Sequence, residues 1–135
     1  MGKGYELIGI KTHVDYRGQL KKIAVKSMLE QGQEIEEVYV LYSEKGIVRG
    51  NHYHEKTIEY FTVLSGEALM VFGDINLKAI ETKKLKADDN QALRIDPYIV
   101  HAIKNESEEP LIVLAVSLKE YNDADTDTFP VNIIK

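Results

Sequence analysis

The chain has no cysteine, which excludes disulfides, thiolate metal sites and a cysteine nucleophile, and fits a reducing compartment. Basic charge is also short. Seventeen lysines and arginines stand against 22 aspartates and glutamates, for a net charge of −5. A nucleic acid or an anionic membrane would need a concentrated basic surface, so neither is expected as a partner. An anionic small molecule is not excluded, because a local pocket can be positive on an acidic protein. No apolar run approaches the length of a membrane span, and Met1-Gly2-Lys3-Gly4-Tyr5 lacks the apolar core of a secretion signal. Repeats, low-complexity tracts and linkers are missing too, so residues 1–135 are expected to form one cytoplasmic domain.

What is present is a run of short apolar, β-branched and aromatic segments split by turn residues, the signature of an all-β fold. The clearest predicted strands are Glu36–Tyr42, Ile58–Leu64, Glu67–Phe72, Leu77–Lys83, Gln91–Ile95 and Pro110–Leu118. Weaker ones are Tyr5–Thr12, Gln19–Ala24 and His101–Asn105, and Val25–Gly32 has room for about two helical turns. In Glu67–Phe72, Ala68, Met70 and Phe72 take one face while Leu69 and Val71 take the other. A strand apolar on both faces suits a barrel wall lying under a second sheet or an oligomer interface. Ser65-Gly66, Gly73-Asp74 and Lys45-Gly46 supply the reversals. Closely spaced short strands without a long helix point to a jelly roll or a related small barrel.

Three of the four histidines fall in two short segments. The first, from Gly46 to Gly66, reads G-x5-H-x-H-x4-E-x6-G through His52, His54 and Glu59. The second, Pro97 to Asn105, reads P-x3-H-x3-N through His101. Residues two apart on a strand share a face, so His52 and His54 can both enter a barrel interior. Glu59 opens the next strand and His101 arrives from a later one. Three imidazoles and a carboxylate suit a divalent zinc, iron, manganese, nickel or cobalt ion, and leave coordination positions open for substrate or water. The same side chains can equally work as metal-free acid and base groups.

The first segment matches the first cupin motif position for position, and the second resembles the second motif with one residue fewer between proline and histidine and without its glycine. The chain is therefore identified as resembling the cupins, which implies an all-β cupin jelly-roll barrel. Asp15-Tyr16-Arg17-Gly18-Gln19-Leu20 resembles the D-x-R-G-x-L segment of sugar-nucleotide epimerases and ketoisomerases. Val38-Tyr39-Val40-Leu41 and Arg49-Gly50-Asn51-His52-Tyr53-His54 are similar to two groups. One is the dTDP-4-keto-6-deoxyglucose 3,4-ketoisomerases. The other is the metal-bearing C-terminal cupin domain of capsular polysaccharide reductase-epimerases. The tail, Tyr121-Asn122-Asp123 and Asp125 to Pro130, also resembles theirs.

The resemblance implies a 3,4-ketoisomerase or C3-epimerase acting on a 4-keto-6-deoxyhexose nucleotide in deoxysugar or surface-polysaccharide synthesis. His52 and His54 match acid/base groups in the ketoisomerases and ligands in the capsular domain, and in the metal case Tyr39, Tyr53 or a water would move the proton. Arg17 and Arg49 are the candidates for diphosphate or sugar oxygens, since a planar guanidinium grips phosphate at two points. Pairing of Arg17 with Asp15 is the plainer alternative. His13 reads as a surface residue. Asp123, Asp125 and Asp127 alternate as in a calcium loop but lack its glycine and distal glutamate. Rival functions are a metal-dependent dioxygenase or other small-molecule isomerase, and a non-catalytic cupin that binds a sugar or metal. The doubly apolar strands predict a homodimer.

Overall fold

A computed structural model describes residues 4–134. Twelve strands are present among them: β1 (Tyr5–Gly9), β2 (Lys11–Asp15), β3 (Gly18–Lys22), β4 (Glu37–Ser43), β5 (Val48–Tyr53), β6 (Glu59–Ser65), β7 (Glu67–Gly73), β8 (Ile80–Lys86), β9 (Gln91–Ile95), β10 (Val100–Asn105), β11 (Leu111–Ser117) and β12 (Phe129–Pro130). Two five-stranded antiparallel sheets form, ordered β1-β9-β6-β11-β4 and β12-β5-β10-β7-β8. Between them lies a core of Phe61, Val63, Met70, Phe72, Leu93, Ile95, Ile103 and Val113. Ala68, Met70 and Phe72 face that core as the alternation predicts, and Val71 on the opposite face is buried too. This is the jelly roll expected from the sequence.

The departures from the predicted elements have local causes. Tyr5–Thr12 is two strands, because β1 pairs with β9 while β2 leaves the sheet to pair only with β3. The strand predicted at Leu77–Lys83 begins at Ile80 instead. Asp74 delays it by accepting the Lys78 and Ala79 amides on Oδ1, which prolongs the turn through Leu77, at φ 56°. Val25–Gly32 makes only a single turn of 3-10 helix, Lys26–Met28.

Strand β5, not among the predicted runs, is interrupted by a bulge. His52 opposes His101 and Gly50 opposes Ala102, so Asn51 is the extra residue. Gly50 has φ 93°, and a Cβ there would meet the His101 carbonyl oxygen at 2.8 Å. Asn51 has φ 59°, which asparagine tolerates better than most side chains. Its Oδ1 accepts the Ile133 and Ile134 amides and its Nδ2 donates to the Ile134 carbonyl, fastening the tail along β5. The bulge thereby brings His52 beside His101.

Candidate functional site

The neighbours β5 and β10, together with the start of β6, bring four predicted ligands to one place. Ring centroids stand 4.9 Å apart for His52 and His54, 4.8 Å for His52 and His101, and 5.5 Å for His54 and His101. Phe61 floors the group, 5.7 Å from His101. Beside it is a cavity of about 340 Å³ lined by Tyr39, His52, His54 and Glu59 from the barrel and by Lys119, Tyr121 and Asp127 from the chain beyond β11. A larger cavity of about 900 Å³ is lined from β1, β7, β8 and β9. Its arginine, Arg94, is already paired with Glu6 and Asp96, and none of its lining residues is a histidine. The histidine cluster opens onto the smaller cavity.

Hydrogen bonding fixes the ionisation states. The Tyr39 hydroxyl donates to Glu59 Oε2 at 2.6 Å, and His54 Nε2 lies 3.2 Å from Glu59 Oε1. His54 Nδ1 lies 2.7 Å from the Asp127 carbonyl oxygen. A carbonyl can only accept, and so can an ionised carboxylate, so both His54 nitrogens carry hydrogen. Burial alone would lower the His54 pKa, but the Glu59 hydrogen bond and charge and the Asp127 contacts together raise it. Burial would raise the Glu59 pKa, and the bonds from His54 and Tyr39 overcome that and lower it. Tyr39 is pushed the other way, up, by burial and then by the Glu59 charge, so its phenol stays protonated.

His52 is the opposite of His54. Burial, then the imidazoles of His101 and His54, lower its pKa to about 4, against a weaker upward pull from Glu59. At neutral pH it is an uncharged ring with a lone pair. His101, 1% exposed, is held low by burial, and its Nδ1 bonds to the Ile99 carbonyl at 3.0 Å. That leaves His101 Nε2 buried with no hydrogen-bond partner, 3.9 Å from Glu59 Oε1.

This donor set fits a divalent ion. The ligand nitrogens of His52, His54 and His101 all lie within 4.8 Å of one another. Tetrahedral ligands at zinc-like bond lengths stand about 3.4 Å apart, and the His54–Glu59 and His101–Glu59 separations of 3.2 and 3.9 Å straddle that. The orphaned His101 nitrogen is the atom that such an ion would satisfy.

The other predicted site residues are placed elsewhere. Tyr53 faces away from the cavity, as alternation between His52 and His54 requires. It stacks on Phe129 at 5.2 Å and Tyr98 at 6.2 Å. The Arg49 guanidinium bonds to Ser43 Oγ and the Tyr42 carbonyl, joining β5 to β4. Arg17 sits at the tip of the β2–β3 hairpin and grips Asp15 at 2.6 Å, with 75% of its side chain exposed. His13 lies exposed in β2, as read from the sequence. Sequence reasoning missed Asp127, Thr57 and Lys119 as lining residues. The alternating aspartates of the tail were the available signal for the first.

Known proteins resemble this chain in fold and in sequence. The family profile described as "Polysaccharide biosynthesis C-terminal domain" matches residues 13–129. A search of curated protein sequences returns no match. Among solved structures, QdtA of Thermoanaerobacterium thermosaccharolyticum, a sugar 3,4-ketoisomerase in complex with TDP, superposes with a TM-score of 0.81 at 24% identity, covering 96% of this chain and 89% of that one. The Legionella pneumophila epimerase RmlC, in complex with dTDP-4-keto-L-rhamnose, gives a TM-score of 0.83 at 19% identity over 97% and 74% of the two chains. The capsular polysaccharide assembling protein CapF of Staphylococcus aureus gives 0.70 at 23% identity, and its match covers 90% of this chain but 34% of CapF.

Proposed function

The chain belongs to the polysaccharide biosynthesis C-terminal domain family, and from that premise we propose that it is a 3,4-ketoisomerase or C3-epimerase of a 4-keto-6-deoxyhexose nucleotide. The observation that carries the proposal is a pair of imidazoles lining one cavity, His54 bonded at both nitrogens beside Glu59 and the His52 ring free of hydrogen bonds among the described residues, next to the Tyr39 phenol that donates to Glu59. That is the equipment for moving a proton next to a ketone. Likeness to QdtA and RmlC supports the substrate class.

In such a sugar the C4 carbonyl acidifies the C3 hydrogen. The His52 lone pair takes that proton, the C3–H electrons form a C3=C4 bond, and the carbonyl π electrons move to oxygen. The developing oxyanion is met by a donor, the Tyr39 hydroxyl or the His54 imidazolium. For the 3-keto isomer the donor protonates O4, the C3 hydroxyl gives up its proton as C3=O forms, and a proton returns to C4; return instead to the other face of C3, with the C4 carbonyl re-formed, gives the epimer. A cavity of about 340 Å³ holds a hexose rather than a whole nucleotide sugar, so the nucleotide would lie outside it. Incubation with dTDP-4-keto-6-deoxyglucose in deuterated buffer is expected to wash deuterium into C3. No exchange with this or related 4-keto sugars would sink the proposal.

A metal-bearing version is favoured by one specific observation, the buried His101 nitrogen without a partner. His52, His54, Glu59 and His101 would hold the ion, which would supply Lewis-acid stabilisation of the oxyanion. A ring nitrogen committed to a metal cannot also accept a proton, so the two versions compete for His52. Metal analysis of protein purified without a histidine tag decides between them. One ion per chain, lost in His101→Ala, is the result expected of the metal version.

We also propose a homodimer. The β2–β3 hairpin pairs with neither sheet and exposes Val14, Tyr16 and Leu20, Tyr16 at 97%. A lone two-stranded ribbon is marginal in water and gains stability by packing on something. On β4, an edge strand, Val38, Val40 and Tyr42 form a second exposed apolar row. The cavity is lined by Glu37, Glu59, Glu120 and Asp127 against one lysine or arginine, Lys119. A diphosphate needs more positive charge than that, and Arg17 on the projecting hairpin is a guanidinium that a second copy could supply. Light scattering at micromolar concentration should give twice 15.3 kDa, and a monomer mass would refute the dimer. No helix among the described residues is long and apolar enough to cross a membrane.

A further inference from the structure

Asp127 stands in the tail, at least seventy residues from the segment it holds, with φ 49°. Its Oδ1 accepts the Glu55 amide at 3.0 Å, and its Oδ2 accepts the Lys56 amide at 3.0 Å and the Thr57 hydroxyl at 2.7 Å. Its own carbonyl receives His54 Nδ1–H at 2.7 Å. One residue thus binds four consecutive ones, 54 to 57, in the loop between β5 and β6. Asp127 is buried, and none of these bonds is a surface ion pair.

The arrangement separates two tasks. The carboxylate fixes where the tail backbone lies against the loop, and the carbonyl, thus placed, keeps hydrogen on His54 Nδ1 whether or not Nε2 is also protonated. With hydrogen held on Nδ1, it is Nε2 that faces Glu59 and the cavity. The left-handed backbone of Asp127 turns carbonyl and carboxylate toward the same loop, a conformation that aspartate and asparagine adopt more readily than alanine.

We propose that Asp127 is a positioning residue, which locks His54 in its Nδ1–H form with Nε2 aimed into the pocket. The lock serves the proton-transfer role and the metal-ligand role alike, because each uses His54 through Nε2. Its kinetic consequence rests on the pocket being the reacting site; its structural half does not.

The test measures both halves. Long-range ¹H–¹⁵N correlation spectra of the histidine rings should show a slowly exchanging His54 Nδ1–H in the parent protein. Asp127→Ala should lose that proton signal and lower kcat about 10- to 100-fold, the usual cost of removing the partner that orients an active histidine, with KM little changed. Asp127→Asn keeps the backbone preference and one acceptor oxygen, so it should restore much of the signal and of kcat. Should Asp127→Ala not fold, Thr57→Val removes a single donor and carries the same two readouts, with smaller losses expected. An unchanged Nδ1–H signal in the variant that folds overturns the proposal, as does a lost signal with kcat intact. A lost signal in a protein whose parent never turns over a keto sugar leaves the lock standing and counts against the proposed reaction instead.

Discussion

His52→Asn is expected to lower kcat by about 10²- to 10⁴-fold, the range spanned by positioned acid and base groups, and to abolish deuterium exchange at C3. The structure separates His52 from the other histidines of the cavity. His54 is bonded at both nitrogens and His101 at Nδ1, whereas His52 meets its neighbours only ring to ring. Its lowered pKa leaves the ring uncharged at neutral pH. That costs basicity but keeps essentially every molecule ready to accept a proton. Because the fold does not draw on a His52 hydrogen bond, the melting temperature should stay close to that of the parent. Retained exchange in a folded His52→Asn protein would transfer the base role to another group. Loss of bound metal along with exchange would instead identify His52 as a ligand.

Much of this site was legible because strand periodicity and the two histidine segments constrain geometry strongly. His52 lies near the end of β5 with His54 two residues on, Glu59 heads the next strand and His101 lies on a neighbour, so the space between the two sheets is the one interior they can share. Even the non-ligand positions have physical reasons. Gly66 has φ 88°, and a Cβ there would press on Ser107 Oγ at 2.9 Å. Asn105 donates from Nδ2 to the Ser43 and Glu109 carbonyls, tying the β10–β11 turn to β4.

What escaped the sequence was set by long-range partners. Strand β5 carries His52 yet reads poorly as a strand, since Arg49, Gly50 and Asn51 break its apolar pattern to make the bulge. Arg49 looked like a substrate residue because of its neighbours in the chain, but Ser43 and Tyr42 claim it across the fold. Tyr53 is bounded by two inward histidines, and alternation alone would have turned it outward, onto Phe129 and Tyr98. Asp127 contributes through contacts some seventy residues distant, and the alternating aspartates of the tail mark the residue without telling which segment it holds.

Tyr39→Phe is expected to lower product formation by about 10²-fold or more while leaving part of the C3 exchange in place. The phenol is kept protonated by burial and by the Glu59 charge, so it is a donor poised at the cavity wall rather than a base. Removing it should slow the first step without abolishing it, because the His54 imidazolium remains to meet the oxyanion, and should impair onward delivery of a proton to the oxygen more severely. A stability cost should accompany this. Glu59, 5% exposed, would lose the 2.6 Å bond at Oε2, and an unsatisfied buried acceptor costs about 1–3 kcal/mol. Glu59→Gln separates the two effects, because it keeps a hydrogen-bonding group beside Tyr39 but removes the charge that holds His54 as an imidazolium. If Tyr39→Phe formed product at the parent rate and differed only in melting temperature, the phenol would be a structural brace for Glu59, and proton delivery would fall to His54.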